Sequence, residues 1–131
     1  GGSRMTSKLY QEELMDHFKN PRNAGRLKNP DVSSGEYNPS CGDSICVDCK
    51  IQDDIAKQIG FVGKGCVISQ AAASMIMQFC VGKSIEEILA LKKDDVLSLI
   101  KIKLGPNRLR CALLGLQALQ NGLKKYQKDN S

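Results

Sequence analysis

Apolar residues recur at helical spacing through Leu9, Tyr10, Leu14 and Phe18, which predicts an amphipathic first helix. Thr6 or Ser7 is placed to cap it, and Asn20-Pro21 to stop it. From Asn23 to Pro39 the pattern dissolves into Gly, Asn, Pro and Ser around isolated hydrophobics such as Leu27 and Val32. That composition predicts a loop or a short edge strand. Ile45, Val47, Cys49 and Ile51 then alternate with Ser44, Cys46, Asp48 and Lys50, the period of a half-buried strand. A tight connection over Gln52 to Asp54 leads to a second strand with Ile55, Ile59 and Phe61 on one face, so the two form an antiparallel hairpin. From Val67 to Val81 the spacing is helical again, with a run of small residues, Ala71, Ala72, Ala73 and Ser74, that permits close packing; Gly82 ends it.

Ser84-Ile85-Glu86-Glu87 has the form of a capping box and opens a short helix through Leu91. Asp94 or Asp95 is expected to cap another through Ile100. After the interruption at Gly105-Pro106, Leu109, Leu113, Leu116, Leu119 and Leu123 mark a last amphipathic helix over about residues 108–126. The sum is an α+β layout: a small antiparallel sheet of about three strands, with several helices placed mostly after it.

The chain has 131 residues, the size of one domain able to bury a core without staples. Residues 5–131 are read as a single domain, and Gly1 to Arg4 ahead of Met5 as a vector-derived tail. The formal net charge of +5 comes from scattered basic residues, and 5% aromatics leave no stacking platform, so nucleic-acid binding is not expected. No apolar run reaches about 18 residues and no signal peptide is visible, which predicts a cytoplasmic protein with no membrane partner. In that reducing compartment six cysteines point to metal or thiol chemistry ahead of disulfides.

Three of the cysteines have chemically suggestive neighbours. Cys41 sits in a Ser40-Cys41-Gly42-Asp43 turn, Cys66 ends Gly63-Lys64-Gly65-Cys66, and Cys111 heads the last helix. Glycines, helix starts and the cations Lys64, Arg108 and Arg110 are surroundings that favour thiolate. The bland alternative is three unrelated core thiols, since free cysteine is often buried. The hairpin brings Cys41, at its entry, close to Cys66, at its exit. Asp43 lies two residues after Cys41, so both side chains can meet one metal in a site of three sulfurs and one oxygen. Its bland alternative is an Asx-type turn after Gly42. A carboxylate is a harder and weaker partner than thiolate for a thiophilic metal.

Cys41, Cys46 and Cys49 also show the C-x₄-C-x₂-C spacing of a plant-type ferredoxin, with Cys80 to complete a set. Against an electron carrier, Cys46 and Cys49 fall on opposite faces of an alternating strand, and this chain is basic. The single histidine, His17, is read as a packing or hydrogen-bonding residue ahead of a metal ligand. Lys64 and Lys83 are candidates to tune the pocket, against the usual solvated role of surface lysines.

Four segments taken together carry a resemblance: Asp16-His17-Phe18-Lys19-Asn20-Pro21-Arg22-Asn23, Pro39-Ser40-Cys41-Gly42-Asp43, Gly63-Lys64-Gly65-Cys66-Val67-Ile68-Ser69 and Arg110-Cys111-Ala112-Leu113-Leu114. In order, over about residues 8–126, the chain resembles the IscU/SufU/NifU N-terminal family of iron-sulfur cluster scaffolds. The resemblance implies a SufE/NifU-like fold and a carrier that accepts persulfide sulfur from a cysteine desulfurase. It implies that a labile [2Fe-2S] cluster is built there with iron and passed to apo iron-sulfur acceptor proteins. Carried over, Cys41, Cys66 and Cys111 are the thiolate ligands and Asp43 the weaker one, with Zn able to occupy the same site. Cys111 and Cys41 are the candidate persulfide acceptors. A Zn-dependent sulfur-transfer acceptor of SufU type is the alternative, closer to an enzyme than a scaffold is. Two departures mix the branches. Arg110 stands where the IscU branch has histidine, and Leu104-Gly105-Pro106-Asn107-Arg108 replaces its chaperone motif, which counts against a dedicated Hsp70-type chaperone. The insertion of roughly twenty residues usual before the last helix of the SufU branch is missing.

Overall fold

A computed structural model describes the backbone of residues 2–130 and the side chains of residues 8–130. In chain order the elements are α1 (Gly2–Lys19), β1 (Val32–Asn38), β2 (Asp43–Gln52), β3 (Ile55–Lys64), α2 (Val67–Cys80), α3 (Ile85–Leu89), α4 (Lys93–Ile100) and α5 (Pro106–Asp129). The strands form one antiparallel sheet in the order β1-β2-β3. This is the α+β layout the pattern predicts. No helix among the described residues is long and apolar enough to cross a membrane.

Strand β2 is central, pairing with β1 on one side and β3 on the other. Ile45, Val47 and Cys49 are buried toward the helices. Its turn into β3 is made by Asp53 and Asp54, both with positive φ (54° and 60°), the paired left-handed residues of a two-residue hairpin that matches strand twist. Pairing then jumps from Lys50↔Gln58 to Ile51↔Ala56, leaving Lys57 as a bulge. The extra residue flips the parity. Ala56 therefore joins Ile59 and Phe61 in the core, and Ile55 is only half-buried.

The ambiguous stretch before Pro39 contains a true edge strand. β1 pairs with β2 from Val32↔Cys49 to Asn38↔Asp43, although Val32 is its only fully buried residue. α5 lies against it closely: a Cβ on Gly122 would come within 2.9 Å of the Ser34 Cβ. α2 and α5 also meet through small residues, with Gly115 against Ala73 in the predicted small run.

On the sheet face away from the helices, Asp48 is only 1% exposed. Its carboxylate accepts from Arg26 Nε at 2.6 Å, Arg26 Nη2 at 3.1 Å, the Leu27 amide at 3.1 Å and Ser33 Oγ at 2.7 Å. Burial alone would raise its pKa. The hydrogen bonds from Arg26, Ser33 and Leu27 outweigh it and hold the carboxyl below its usual range.

Three expectations need correction. α1 starts at Gly2, upstream of the predicted cap; the side chains of Thr6 and Ser7 lie outside the described residues. Of its apolar stripe Leu14 is buried, while Leu9 and Phe18 stay exposed and His17 takes the inward position. Neither Asp94 nor Asp95 is the cap of α4: Lys92 holds that position, and Asp95 in the first turn accepts the Lys92 amide at 2.8 Å. The Ser84 capping box forms as predicted, with Glu87 N–H donating to Ser84 Oγ at 3.1 Å.

Candidate metal centre

Three separate pieces of chain meet at one end of the sheet. Gly42, with φ +73°, turns the backbone from Cys41 into β2, whose first residue is Asp43. Cys66 is the N-cap of α2, its sulfur accepting from the Ser69 amide at 3.5 Å. Cys111 projects from α5.

The Asp43 carboxylate is the hub. Oδ2 accepts from Cys41 Sγ at 3.1 Å and from Cys66 Sγ at 3.3 Å, and Oδ1 accepts from the Cys66 amide at 2.9 Å. Cys41 Sγ is also 3.3 Å from Cys111 Sγ. Cys41, Asp43 and Cys111 offer ligand atoms all within 4.8 Å of one another, the one such group of ligating side chains among the described residues. Cys66 adjoins it through Asp43. Gly65, with φ +145°, makes room for this arrangement: a Cβ there would lie 2.5 Å from the Asp43 Cγ.

Asp43 is 1% exposed. Burial is the largest single influence and raises its pKa, but hydrogen bonds from the Cys41 thiol, the Cys66 amide and thiol, and Cys111 together hold it low. Cys111 behaves oppositely: burial, then its bonds with Cys41 and Asp43, push its thiol well up. The expectation of a partly ionised Cys111 therefore fails for the metal-free site. The helix also begins earlier than predicted, at Pro106, so Cys111 falls in the second turn of α5, beyond the strongest part of the helix-end field. Metal binding must displace that proton.

Cys41 and Cys66 are exposed and Cys111 is buried. They open on a groove of about 700 Å³ whose other walls include Leu14 and Met15 of α1, Ile68 of α2 and Arg108 of α5. Three sulfurs and an oxygen from this set have the donor chemistry of a tetrahedral zinc or iron site. The thiol–carboxylate hydrogen bonds are contacts a metal would replace.

The other sequence candidates lie elsewhere. Cys46 looks out from the far face of the sheet, lining a shallow concavity with Tyr37, Val62 and Lys64, while Cys49 and Cys80 are fully buried, their thiols pushed up to about 12 by burial. All six cysteines are free. The ferredoxin-like spacing thus brings no ligand set together. His17 serves packing: its Nδ1 lies 2.8 Å from Ser74 Oγ, which also accepts the Arg22 amide at 2.7 Å. Lys83 sits past the far end of α2, stacked 4.3 Å from the centre of the Phe79 ring, and is no neighbour of the groove. Sequence reasoning missed Ser69 and the α1 residues Gln11, Leu14 and Met15. Ser69 was legible in principle, lying three residues after a capping position.

A family model described as the NifU-like N terminal domain matches residues 9–131. The zinc-dependent sulfurtransferase SufU of Bacillus subtilis is 37% identical, over 93% of this chain and 94% of that protein. That match runs over 139 positions, more than this chain contains, so SufU has residues with no counterpart here. The iron-sulfur cluster assembly scaffold protein IscU of Thermotoga maritima is 32% identical, over 92% of this chain and 96% of that protein. Among solved structures, a nitrogen-fixing NifU-like N-terminal protein from Brucella abortus superposes with a TM-score of 0.76 at 19% identity, over 95% of this chain and 98% of that one. At that identity the likeness concerns the fold.

Proposed function

We propose that this chain, which belongs to the family of NifU-like N-terminal domains, is an iron-sulfur cluster assembly scaffold, as its IscU relatives are named. The observation that carries this reading is the convergence of three thiols and one carboxylate, from three separated segments, on one open groove. Cys41, Cys66, Cys111 and Asp43 are the ligand set, and a labile [2Fe-2S] cluster is the cargo. Sulfur arrives as a persulfide on a cysteine desulfurase. A thiolate of the scaffold attacks the terminal sulfur, forming a new S–S bond, breaking the desulfurase's own, and leaving a desulfurase thiolate that takes up a proton. Exposure favours Cys41 for that first encounter, and its 3.3 Å contact gives Cys111 access to the same sulfur. Asp43 is the hard ligand among soft ones and the one whose bond yields first when the cluster is passed to an apo-protein.

A second reading, a Zn-dependent sulfur-transfer acceptor, is favoured by the 37% identity to SufU and by a donor set that suits tetrahedral zinc. The two separate on the metal and acid-labile sulfide content of protein purified without oxygen. Iron with equal sulfide supports the scaffold, and about one zinc per chain without sulfide supports sulfur transfer. Metal binding that survives loss of Cys41, Cys66 and Cys111 together overturns both.

A further inference from the structure

The segment from Lys101 to Arg110 carries Lys101, Lys103, Arg108 and Arg110 and no acidic residue. All four are exposed, and none is in an ion pair among the described residues. Over residues 19–28, by contrast, Arg22 pairs with Asp16 and Arg26 with Asp48. The exposed charges are also held in place. Ile102 and Leu104 pack against the core between them, so Lys101 and Lys103 are left facing outward. Lys101 is steadied 5.2 Å from the centre of the Tyr10 ring.

Arg108 of this segment lines the cysteine groove with Asn107, beside Cys41, Cys66 and Cys111; Arg110 is the residue before Cys111, and Lys101 lines a separate concavity with Glu13 and His17. With three thiolates, a carboxylate, two ferric ions and two sulfides, a loaded site carries net negative charge, which repels an acidic protein approaching to collect the cluster. Arg108 at the groove wall, with the exposed cations of the same segment, offsets that repulsion and steers such a partner toward the site. We infer that the Lys101–Arg110 segment is the docking surface for an acidic acceptor protein. This rests on the scaffold reading for its purpose, though the docking itself is measurable without a cluster.

The probe is an apo plant-type ferredoxin, a strongly acidic protein. Its affinity for the metal-free chain is measured against ionic strength, alongside the rates of cluster loading by a desulfurase and of transfer to the ferredoxin. The double variant Lys103→Glu/Arg110→Glu should bind about tenfold more weakly at low salt, show a flatter salt dependence, and transfer more slowly. Lys124→Glu/Lys125→Glu makes the same change in net charge about 20 Å along α5 from Cys111 and should leave binding near wild type. Should the first double variant not fold by circular dichroism, Arg110→Gln alone replaces it, with a smaller loss expected.

Equal losses in the two double variants would reduce the effect to overall charge and overturn the docking surface. So would wild-type binding in the first double variant, no ferredoxin binding by the wild type, or a defect confined to loading. A wild type that never accumulates a cluster, yet binds ferredoxin through this segment, would sink the scaffold reading and leave the docking surface standing.

Discussion

Gly65→Ala tests the geometry of the cysteine site through the backbone alone. At φ +145° an L-residue is strained by about 1–3 kcal/mol. The new Cβ would also stand 2.5 Å from the Asp43 Cγ and 2.9 Å from its Cβ. The carboxylate, 1% exposed at the start of β2, must retreat and give up the Cys66 amide it accepts at 2.9 Å. A hydrogen bond to a charged group contributes about 1.5–3 kcal/mol. Together the losses come to about 2.5–6 kcal/mol. With a urea m-value of about 2 kcal/mol/M, the unfolding midpoint of metal-free protein should fall by about 1–3 M. Gly42→Ala is the control: it also has positive φ (+73°), but a Cβ there meets nothing within 4 Å, so only strain of about 1–2 kcal/mol is expected. The reasoning is refuted if both variants lose equal stability by circular dichroism and both bind zinc as the wild type does.

Asp43→Ala should bind a cluster that decays more slowly in its visible absorption, because the route for ligand exchange is gone; faster decay would count against Asp43 as the labile ligand. Cys46→Ser and Cys49→Ser should keep the metal stoichiometry of the wild type, with Cys49→Ser alone less stable, by roughly 1–3 kcal/mol, for placing a hydroxyl in the core. Metal loss in either would return the ferredoxin-like spacing to consideration. Burial, followed by the nearby Arg22, holds the pKa of His17 below its ordinary value, so its contribution to stability is complete above about pH 6.5 and is lost as pH falls through the lowered value. His17→Gln should therefore flatten the melting temperature between pH 7 and 5, read by thermal denaturation; an unchanged slope would refute this. Asp48→Asn should remove part of the acid sensitivity expected below about pH 4, since the folded carboxyl titrates below its unfolded value. An acid limb identical to wild type would argue against the Arg26–Asp48 contact.

The strands with one wet and one dry face were legible because alternation encodes burial directly, as in Ile45, Val47 and Cys49. β1 was only half visible: an edge strand keeps polar residues on both sides, and its pairing partner supplies the order. Asp48 looked like an outward polar residue, and nothing nearby in sequence announces that Arg26, Leu27 and Ser33 fold over it. The same holds for α1, where His17 and not Phe18 faces α2, a choice made by Ser74 more than fifty residues away. At the cysteine site, turn and cap chemistry singled out Cys41, Asp43 and Cys66 locally. The high proton affinity of Cys111 had no local sign, because it arises from burial and from neighbours 70 and 68 positions back in the chain.

The four groups at the groove also span the molecule's topology: the entry to β2, the cap of α2 and the second turn of α5. On the proposed ligand set, cargo acts as a removable rivet, fastening sheet to helices across a stretch of 70 residues between Cys41 and Cys111. Whatever binds the folded form and not the unfolded one stabilises it by mass action. Giving the cluster away therefore leaves a looser carrier, and a recipient must bind it strongly enough to compensate for that loosening. Retention and mechanical firmness rise and fall together, so a scaffold engineered to be very rigid when empty would be preorganised for its cargo and would release it less readily.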